Sequence, residues 1–362
     1  MTLTKVPLTP YSSPLTEQLK PLVVLVGPTA VGKSQVAILL AKALGTAVLA
    51  ADSRQVYRDM DIGTDKPKLS ERQGVPHRLI DLVQPDQPFN VGMYRRYALA
   101  EIDRLHGGGL VPLLVGGTGL YIRALLRGLW EGPQADWSFR ARLLDEAHLK
   151  GATHLHDTLA LIDPELADRL HPHDLVKIIR ALEVHHLLGR PLSEMHRAHA
   201  FSEASFSPLL IGLTREREAL YRRIEARVDE QLAKGLVQET QQLLAKGYGR
   251  HLGSMKGLGY RQMAGYLAGD YEYEDAVQRL KRDTRRFAKR QMTWFRKEPD
   301  IIWLTISESE SPEQVVARIL DHVGRFLSQL STCLGLDFPT SMTAVMTASA
   351  EGRSSICSVG HA

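Results

Sequence analysis

The chain of 362 residues has few of the features that mark zinc-binding, secreted or membrane proteins. Its two cysteines, Cys333 and Cys357, form no CxxC pair, so neither a zinc finger nor a disulfide framework is expected. This scarcity of cysteine fits a reducing compartment. No apolar run approaches the roughly 18 residues that a membrane-spanning helix needs. These absences predict a cytoplasmic protein without a membrane partner.

Short apolar runs alternate with helical patterns in the first part of the chain. Four runs rich in apolar and β-branched residues predict buried strands, at residues 22–26, 47–51, 78–83 and 111–115. Helical spacing lies between them, for example at residues 35–44 and 93–105. Strands that alternate with helices predict an α/β fold, in which helices cover both faces of a parallel sheet.

The alternation stops at about residue 132. Residues 132–207 show helical spacing, clearest at 137–150 and 173–188, and no convincing strand, which predicts an all-helical insertion domain. The mixed pattern then resumes, with strands at 209–213 and 301–306 and helices at 217–234, 255–267, 274–297 and 312–330. We therefore expect a flexible leader, a core in two pieces, the insertion and a disordered tail, at residues 1–20, 21–131 with 208–330, 132–207 and 331–362.

A glycine-rich turn follows the first predicted strand and precedes the first predicted helix. Its sequence, GPTAVGKS, fits the phosphate-loop pattern. Backbone N–H groups at the helix start and the charge of Lys33 suit a phosphate chain, and the Ser34 hydroxyl suits Mg²⁺ as a cofactor. A chance glycine turn is the alternative, which the flanking strand and helix disfavour. The predicted phosphate ligands are Gly27, Pro28, Thr29, Ala30, Val31, Gly32, Lys33 and Ser34.

The remaining strand ends argue against a plain nucleotide hydrolase. The fourth predicted strand ends in Gly-Gly-Thr118 rather than in an acid. Asp81 is the candidate for a metal-holding acid at a strand end, but it is interpreted equally well as the first residue of a loop. No nucleotide-base motif is recognisable either. A diphosphate that is not a nucleotide needs the phosphate loop, but it needs neither such an acid nor a base-binding motif.

Two polar residues follow predicted strands beside the phosphate loop. Ligands of parallel sheets bind beyond the carboxyl ends of the strands, where Asp52 and Thr118 lie. Asp52 is placed to accept a proton from a nucleophile, or alternatively to cap the next helix. Thr118 is placed to donate a hydrogen bond to a phosphate oxygen, or alternatively to serve as a turn residue.

A series of motifs then follows in a fixed order. After the phosphate loop come DSRQVY (52–57), MDIGT (60–64), PHRLID (76–81), VGGTGLY (115–121), RALEV (180–184), GYRQM (259–263) and AKRQMTW (288–294). This ordered set resembles the tRNA dimethylallyltransferase family, also called tRNA isopentenyltransferases. The resemblance runs from about residue 21 to 304.

The resemblance implies a phosphate-loop core with a helical insertion that grips the anticodon arm of tRNA. It implies transfer of a dimethylallyl group from dimethylallyl diphosphate to N6 of the adenosine just 3′ of the anticodon. It also implies that Asp52 is the general base and that Thr118 and Arg227 complete the catalytic set as diphosphate ligands. We expect a monomer. The implied tRNA contacts are Asp52, Ser53, Arg54, Gln55, Thr118, Arg140, Val176, Lys177, Ile178, Ile179, Arg180, Lys256, Gly257, Leu258, Gly259, Tyr260 and Arg261.

Charge supports an RNA partner independently. The formal net charge is only +4, but residues 279–297 contain nine Lys or Arg and a single acid, Asp283. A local excess of this size favours an anionic partner, although a solvated charged face is the common alternative. We add Arg282 and Arg286 to the predicted tRNA contacts. Four arginines are spaced to share one helix face: Arg279, Arg282, Arg286 and Arg290.

Other activities remain open at this point. An adenylate isopentenyltransferase would use the same chemistry on a free nucleotide, but it would need neither the insertion nor the basic helix. A small-molecule kinase would use the same loop but would need contacts to an ATP base. A non-enzymatic RNA-binding protein would not need Lys33, Ser34 and Asp52 intact. Trp294 and Phe295 are stacking candidates for bases, although core packing is the favoured interpretation.

Overall fold

A six-stranded parallel sheet forms the centre of the computed structural model, which describes residues 20–130, 132–199 and 206–334. The strand order is β3-β2-β4-β1-β5-β6, and every pair of neighbours is parallel. Strands β1 to β6 span Lys20–Val26, Val48–Ala51, His77–Arg78, Leu113–Gly116, Phe206–Thr214 and Ile302–Thr305. The α/β prediction is confirmed.

Alternation along β1 divides the core into two layers. Val23 and Leu25 pack on one face of the sheet, with α1 (Lys33–Ala43) and α13 (Pro312–Leu334). Leu22, Val24 and Val26 pack on the other face, with α2 (Val91–Gly107) and α3 (Gly119–Arg127). Because successive side chains of a strand point to opposite faces, a fully apolar strand is buried on both sides.

The third strand is shorter than its sequence suggested. It was predicted over residues 78–83, but it ends at Arg78, because Leu79 and Asp81 have left-handed φ values of 65° and 54°. Asp81 therefore lies in a loop, where its Oδ1 accepts a hydrogen bond of 2.6 Å from Lys66 Nζ. The loop interpretation of Asp81 is the one that the structure supports.

Five helices follow within the predicted insertion. They are α4 (Trp137–Lys150), α5 (Ala152–Ile162), α6 (Pro164–Arg169), α7 (Leu175–Leu188) and α8 (Leu192–His199). Side chains from these helices bury one another in a hydrophobic cluster of their own. Strand β5 already begins at Phe206, before the predicted end of the insertion at residue 207. The separate domain stays a prediction, with this cluster as its support.

The remaining helices build the wall beside the sheet. They are α9 (Arg217–Ala233), α10 (Leu236–Ala245), α11 (Tyr260–Leu267) and α12 (Tyr273–Phe295). Helix α10 was not predicted, and α11 begins five residues later than the predicted 255, since residues 255–259 form turns. Helix α13 continues to Leu334, past the predicted end at 330. The leader up to residue 19 and the tail from 335 lie outside the described residues.

Within the described ranges, we find no helix that combines the length and the apolar character needed to cross a membrane.

Candidate active site

A cavity of about 390 Å³ opens at the carboxyl ends of β1, β2 and β4. The predicted phosphate-loop residues Lys33 and Ser34 line it together with Asp52, Thr118 and Arg227. These residues come from separate parts of the chain. They meet because the carboxyl ends of parallel strands share one edge of a sheet.

Two glycines allow the phosphate loop to turn sharply between β1 and α1. Gly27 and Gly32 have φ values of 149° and 113°, which side chains rarely adopt. A Cβ at Gly27 would also lie 2.6 Å from the Leu213 carbonyl oxygen of β5. The loop therefore packs directly against the backbone of the neighbouring strand, which holds its N–H groups at the start of α1.

The Lys33 ammonium is held inside the loop. Its Nζ donates hydrogen bonds to the carbonyl oxygens of Gly27 (2.9 Å) and Pro28 (2.7 Å). Burial, followed by the nearby Arg227 guanidinium, lowers the pKa of Lys33 to about 7, against the opposing effect of Asp52 and Asp65. An anion bound here would oppose this lowering of the pKa, because its negative charge would stabilise the ammonium form.

Asp52 uses one carboxylate oxygen to shape its own turn. Its Oδ1 accepts hydrogen bonds from the backbone N–H groups of Arg54 (2.7 Å) and Gln55 (3.3 Å). The segment that follows Asp52 is a turn and not a helix. Asp52 therefore caps a turn, where the alternative interpretation expected it to cap a helix. Among the described residues, Oδ2 has no hydrogen-bond partner. The carboxylate is thus oriented by one oxygen and available through the other.

Thr118 joins the ends of two strands. Its backbone N–H donates to the Ala51 carbonyl oxygen (3.2 Å), and its Oγ1 accepts from the Ser53 N–H (3.1 Å). The hydroxyl hydrogen remains available to a further acceptor, because the Ser53 contact uses an oxygen lone pair. Thr118 is therefore both a turn residue and a possible donor to a phosphate, so the two interpretations of it coexist.

Two arginines of helix α9, and one just before it, contact the phosphate loop. Arg227 Nη1 donates to Thr29 Oγ1 at 2.8 Å and lies 3.5 Å from Asp65 Oδ2. Arg223 Nε donates to the Ala30 carbonyl oxygen at 2.9 Å, and Arg215, just before the helix, donates from Nε to the Val31 carbonyl oxygen at 3.0 Å. Sequence analysis gave a role only to Arg227. Arg215 and Arg223 were missed because no local pattern signals a contact across such a distance in the chain.

Gln291 of α12 is a third residue whose role the sequence did not indicate. Its Oε1 accepts from the Thr29 N–H (2.9 Å), and its Nε2 donates to the Gly117 carbonyl oxygen (3.0 Å). A Cβ at Gly117 would lie 2.1 Å from that Nε2. The buried amide therefore locks the phosphate loop to the end of β4, and it requires glycine there.

The oxygen atoms near Ser34 suit a hard divalent cation. The Ser34 hydroxyl is exposed in the cavity, which also holds the carboxylates of Asp52 and Asp65. Magnesium prefers oxygen ligands and keeps part of its water shell, so this donor set fits it. No cluster of three or more His, Cys, Asp or Glu side chains that could hold a metal occurs in the described residues.

Most of the predicted tRNA contacts of the core line the same cavity. These are Asp52, Ser53, Arg54, Gln55, Thr118, Lys256, Gly257, Leu258, Tyr260 and Arg261. The cavity wall is therefore built from the Asp52 turn and from the segment that leads into α11. Gly259 is buried at the start of α11, with a positive φ of 87°.

Tyr260 has a structural role that the sequence did not indicate. Its side chain is 1% exposed, and its hydroxyl donates to Glu239 Oε1 at 2.6 Å. The Glu239 carboxylate in turn accepts from the N–H groups of Asp61, Ile62 and Gly63. Tyr260 thus anchors the loop that borders the cavity, and a ring contact with RNA would need it to leave the core.

The predicted contacts in the insertion lie outside this cavity, on α4 and α7. Val176 is 82% exposed, and Lys177 is exposed beside it. Ile178 and Ile179 are 0% and 5% exposed and belong to the insertion core, so their predicted side-chain contacts with tRNA are not possible in this conformation. Val176 and Lys177 therefore lie on the exposed face of α7, and their contact with tRNA stays a prediction.

The two predicted arginines of the insertion share a buried partner. Arg140 forms two hydrogen bonds of 2.7 Å with the Glu183 carboxylate, and Arg180 contacts the same carboxylate. Glu183 is completely buried, whereas the arginines keep about a quarter to a third of their side-chain surface exposed. Their guanidinium groups are therefore oriented in advance.

The basic face of α12 is organised around its single acid. The Asp283 carboxylate lies 3.0 Å from a guanidinium nitrogen of Arg282 and 3.8 Å from one of Arg286. It also lies 3.0 Å from side-chain nitrogens of Arg261 and Gln262 on α11. Burial is the largest single influence on the Asp283 pKa and would raise it. The hydrogen bonds and positive charges of these partners together outweigh burial, so the pKa is lowered. The carboxylate remains ionised and gathers three guanidinium groups, of which Arg261 also lines the cavity.

The two aromatic residues of α12 are core residues. Phe295 is 1% exposed, and Trp294 packs against the same hydrophobic cluster, with the Arg123 guanidinium 4.3 Å from its ring centre. A Cβ at Gly119 would lie 2.1 Å from the Trp294 Nε1. The favoured interpretation of these two residues as core residues is confirmed.

Fold and site together define a phosphate-loop α/β protein that has a carboxylate beside its phosphate site and a helical insertion. A family model described as IPP transferase matches residues 55–298, and one described as isopentenyl transferase matches residues 20–84. The chain belongs to the IPP transferase family.

Relatives of similar length support this membership. The tRNA dimethylallyltransferase of Pelotomaculum thermopropionicum is 49% identical over 308 residues, which cover 84% of this chain and 98% of that protein. Among solved structures, the tRNA isopentenylpyrophosphate transferase of Bacillus halodurans matches with a TM-score of 0.65 and 38% identity, over 86% and 98% of the two chains. A eukaryotic dimethylallyltransferase acting on tRNA matches with a TM-score of 0.71 and 28% identity, over 84% and 80%.

Proposed function

We propose that this protein transfers a dimethylallyl group from dimethylallyl diphosphate to N6 of the adenosine immediately 3′ of the anticodon in tRNA. The observation that carries the proposal is one cavity in which the Asp52 carboxylate faces the same space as the phosphate loop. Family membership supports the same activity.

The leaving group is the centre of the proposed mechanism. The allylic C–O bond breaks as the N6–C bond forms, and the departing diphosphate takes the electron pair of the C–O bond. Negative charge therefore grows on the diphosphate, where loop N–H groups, Lys33, Thr118 and Arg227 stabilise it. Bound Mg²⁺, held by Ser34, would supply further positive charge to the same oxygens.

The acceptor amine needs help from a base. The lone pair of adenine N6 is delocalised into the ring, which makes the amine a poor nucleophile. Asp52 Oδ2 accepts a hydrogen bond from N6–H, orients the amine and takes its proton as the new bond forms. The adenosine must leave its stack to enter the cavity, as in other base-modifying enzymes.

The RNA would be held by cations around the cavity and by the helical insertion. Lys256 and Arg261 line the cavity, Arg282 and Arg286 share Asp283 with Arg261, and Arg140, Lys177 and Arg180 lie on the insertion. RNA loops are recognised in this way, with bases splayed out and backbone phosphates held by basic residues. These features support tRNA over free adenylate as the acceptor, and we propose that a cytoplasmic monomer binds one anticodon arm.

A labelling assay tests the proposal. The protein is incubated with Mg²⁺ and dimethylallyl diphosphate carrying a label in its allylic group, together with tRNA, AMP or ATP in separate reactions. We expect label on tRNA alone, at the adenosine 3′ of the anticodon, and none after that adenosine is replaced by guanosine. Label on AMP would favour the adenylate prenyltransferase, and consumption of ATP without any label transfer would favour a kinase.

A further inference from the structure

The helical insertion exposes a large aromatic side chain. Trp137 is the first residue of α4 and is 70% exposed, whereas the other three tryptophans are partly buried. A single exposed apolar residue needs no explanation by itself. The neighbours of Trp137 are nevertheless held in fixed positions by the buried carboxylate of Glu183.

An arginine is fixed beside the ring. The guanidinium carbon of Arg140 lies 5.1 Å from the centre of the Trp137 ring, within the range of a cation–π contact. Arg140 donates from Nε and Nη2 to the two oxygens of Glu183, each at 2.7 Å. A guanidinium held by two parallel hydrogen bonds to a completely buried carboxylate has little freedom to leave the ring.

The same carboxylate also fixes the backbone at Trp137. Glu183 Oε1 accepts a hydrogen bond of 2.7 Å from the N–H of Asp136, the residue that precedes Trp137. Asp136 then caps α4, with its Oδ1 accepting from the Phe139 N–H at 2.9 Å. One buried glutamate therefore positions both the tryptophan and the arginine, although the proposed chemistry uses none of these residues.

We propose that Trp137 and Arg140 form a stacking platform for one unpaired base of the anticodon loop. This inference rests on the proposed function, because it takes tRNA as the substrate. Unpaired bases stack on exposed aromatic rings and on guanidinium planes, with little dependence on base identity. Such a contact would hold the loop on the insertion while the target adenosine enters the cavity.

The charge around the platform favours RNA over an apolar protein surface. Residues 137–144 contain two arginines and no acid, although Asp136 and Asp145 flank this segment. Arg140 Nη1 has no partner among the described residues, so it is available to a phosphate next to the stacked base. A ring beside a cation suits a polyanion that also presents flat bases.

Three variants separate the platform from general effects on the surface. Trp137→Ala removes the ring, and Trp137→Phe keeps a smaller aromatic face. Leu149→Ala is the control, since Leu149 is an exposed apolar residue at the other end of the same helix. With an anticodon stem-loop RNA, we expect Trp137→Ala to lower affinity about five- to hundredfold. Trp137→Phe should regain most of that loss, and Leu149→Ala should bind like the wild type.

A double-mutant cycle tests stacking itself. The unpaired loop nucleotides other than the target adenosine are made abasic one at a time, and affinity is measured for wild type and for Trp137→Ala. At one loop position, the abasic change should weaken wild-type binding and leave Trp137→Ala binding nearly unchanged. Equal penalties in both proteins at every position would overturn the platform.

The outcome also distinguishes this inference from the proposed function. If the wild type labels tRNA but Trp137→Ala matches Leu149→Ala in affinity and in KM for tRNA, the platform is wrong and the activity stands. If the wild type neither binds nor labels tRNA, both fail. The KM for dimethylallyl diphosphate should stay the same in all three variants, since that substrate contacts the phosphate loop.

Discussion

The two oxygens of the Asp52 carboxylate have different roles. Oδ1 holds the turn through the N–H groups of Arg54 and Gln55, whereas Oδ2 of this cavity-lining residue has no partner among the described residues. Orientation by one oxygen leaves the other ready to accept a proton without rearrangement. A substitution that preserves Oδ1 therefore isolates the chemical role of the residue.

Asp52→Asn should keep the turn and abolish the base. The asparagine oxygen still accepts both backbone hydrogen bonds, whereas an amide nitrogen cannot take a proton from N6. We expect transfer to fall by on the order of 10²-fold or more, with tRNA affinity much less changed. Single-turnover labelling measures the loss, and thermal unfolding checks the fold. A rate within a few-fold of the wild type would remove Asp52 from the mechanism.

Lys33 is the second residue whose environment determines its chemistry. Burial and Arg227 lower its pKa to about 7, so the free protein has a largely neutral Lys33 at pH 8. A bound diphosphate stabilises the ammonium form and must raise that pKa. By linkage, binding above pH 7 takes up a proton, whereas binding well below pH 7 does not.

Affinity for dimethylallyl diphosphate should therefore fall as the pH rises above about 7. At the steepest, the dissociation constant should rise about tenfold per pH unit. Titration of the diphosphate itself contributes little, because its phosphate groups are ionised above a pH of roughly 6. Calorimetry at pH 8 in two buffers of different ionisation enthalpy should reveal uptake of up to about one proton. Lys33→Arg, which stays charged, should bind without that uptake. Identical proton uptake in both proteins would assign the effect to another group.

At the scale of elements, helix α12 connects the phosphate site with the arginines around Asp283. Its inner face carries Gln291, which joins the phosphate loop to β4. Its outer face carries Arg282 and Arg286 around Asp283, which also receives Arg261 of α11. The periodicity of one helix thus separates an amide that shapes the diphosphate site from guanidinium groups that face solvent.

Changing Arg282 and Arg286 together to Ala should weaken tRNA binding. Each arginine that contacts a phosphate releases counterions, so log affinity should depend less steeply on log salt, by roughly one unit per lost contact. Filter binding at several salt concentrations measures the slope. Arg325→Ala on α13 is the control, because the partners of Arg325 among the described residues all lie on its own helix. An unchanged slope would mean that this face is merely solvated and that the insertion carries the RNA contact.

At the scale of the whole molecule, separate hydrophobic clusters meet around one cavity. The clusters on the two faces of the sheet hold the phosphate loop and α3, and a third holds the Tyr57 to Tyr260 wall, whereas the fourth holds the insertion, whose described residues do not line the cavity. A ligand in the cavity contacts groups that several of these clusters support. Binding should therefore stabilise the molecule as a whole.

Dimethylallyl diphosphate with Mg²⁺ should raise the unfolding temperature, and the shift should grow with ligand concentration. At a hundred times the dissociation constant, one bound ligand contributes about 2.7 kcal/mol. ATP at the same concentrations should protect much less, since no contact for its base is recognisable. Scanning fluorimetry measures both series, with isopentenyl alcohol as the control that lacks phosphate. Stronger protection by ATP, together with its consumption, would favour the kinase.

Local patterns predicted the parts of the site that follow directly from strand ends. The phosphate loop, Asp52 and Thr118 each adjoin a strand, and parallel strands bring such positions to one edge. The same reasoning failed for the third strand, because the left-handed conformations of Leu79 and Asp81 leave no clear mark in an otherwise strand-like run. It also failed to separate Val176 from Ile178, since a motif identifies a helix but not the face that is buried.

The sequence by itself determined the alternation of strands and helices in the core, the phosphate loop and the family, because these depend on short segments whose residues act locally. Only the tertiary structure decided which distant groups meet: Arg223 at the phosphate loop, Gln291 between Thr29 and Gly117, and Glu183 beneath Arg140. Such contacts join residues far apart in the chain. They are selected by packing of whole elements, and burial then makes each polar group find a partner.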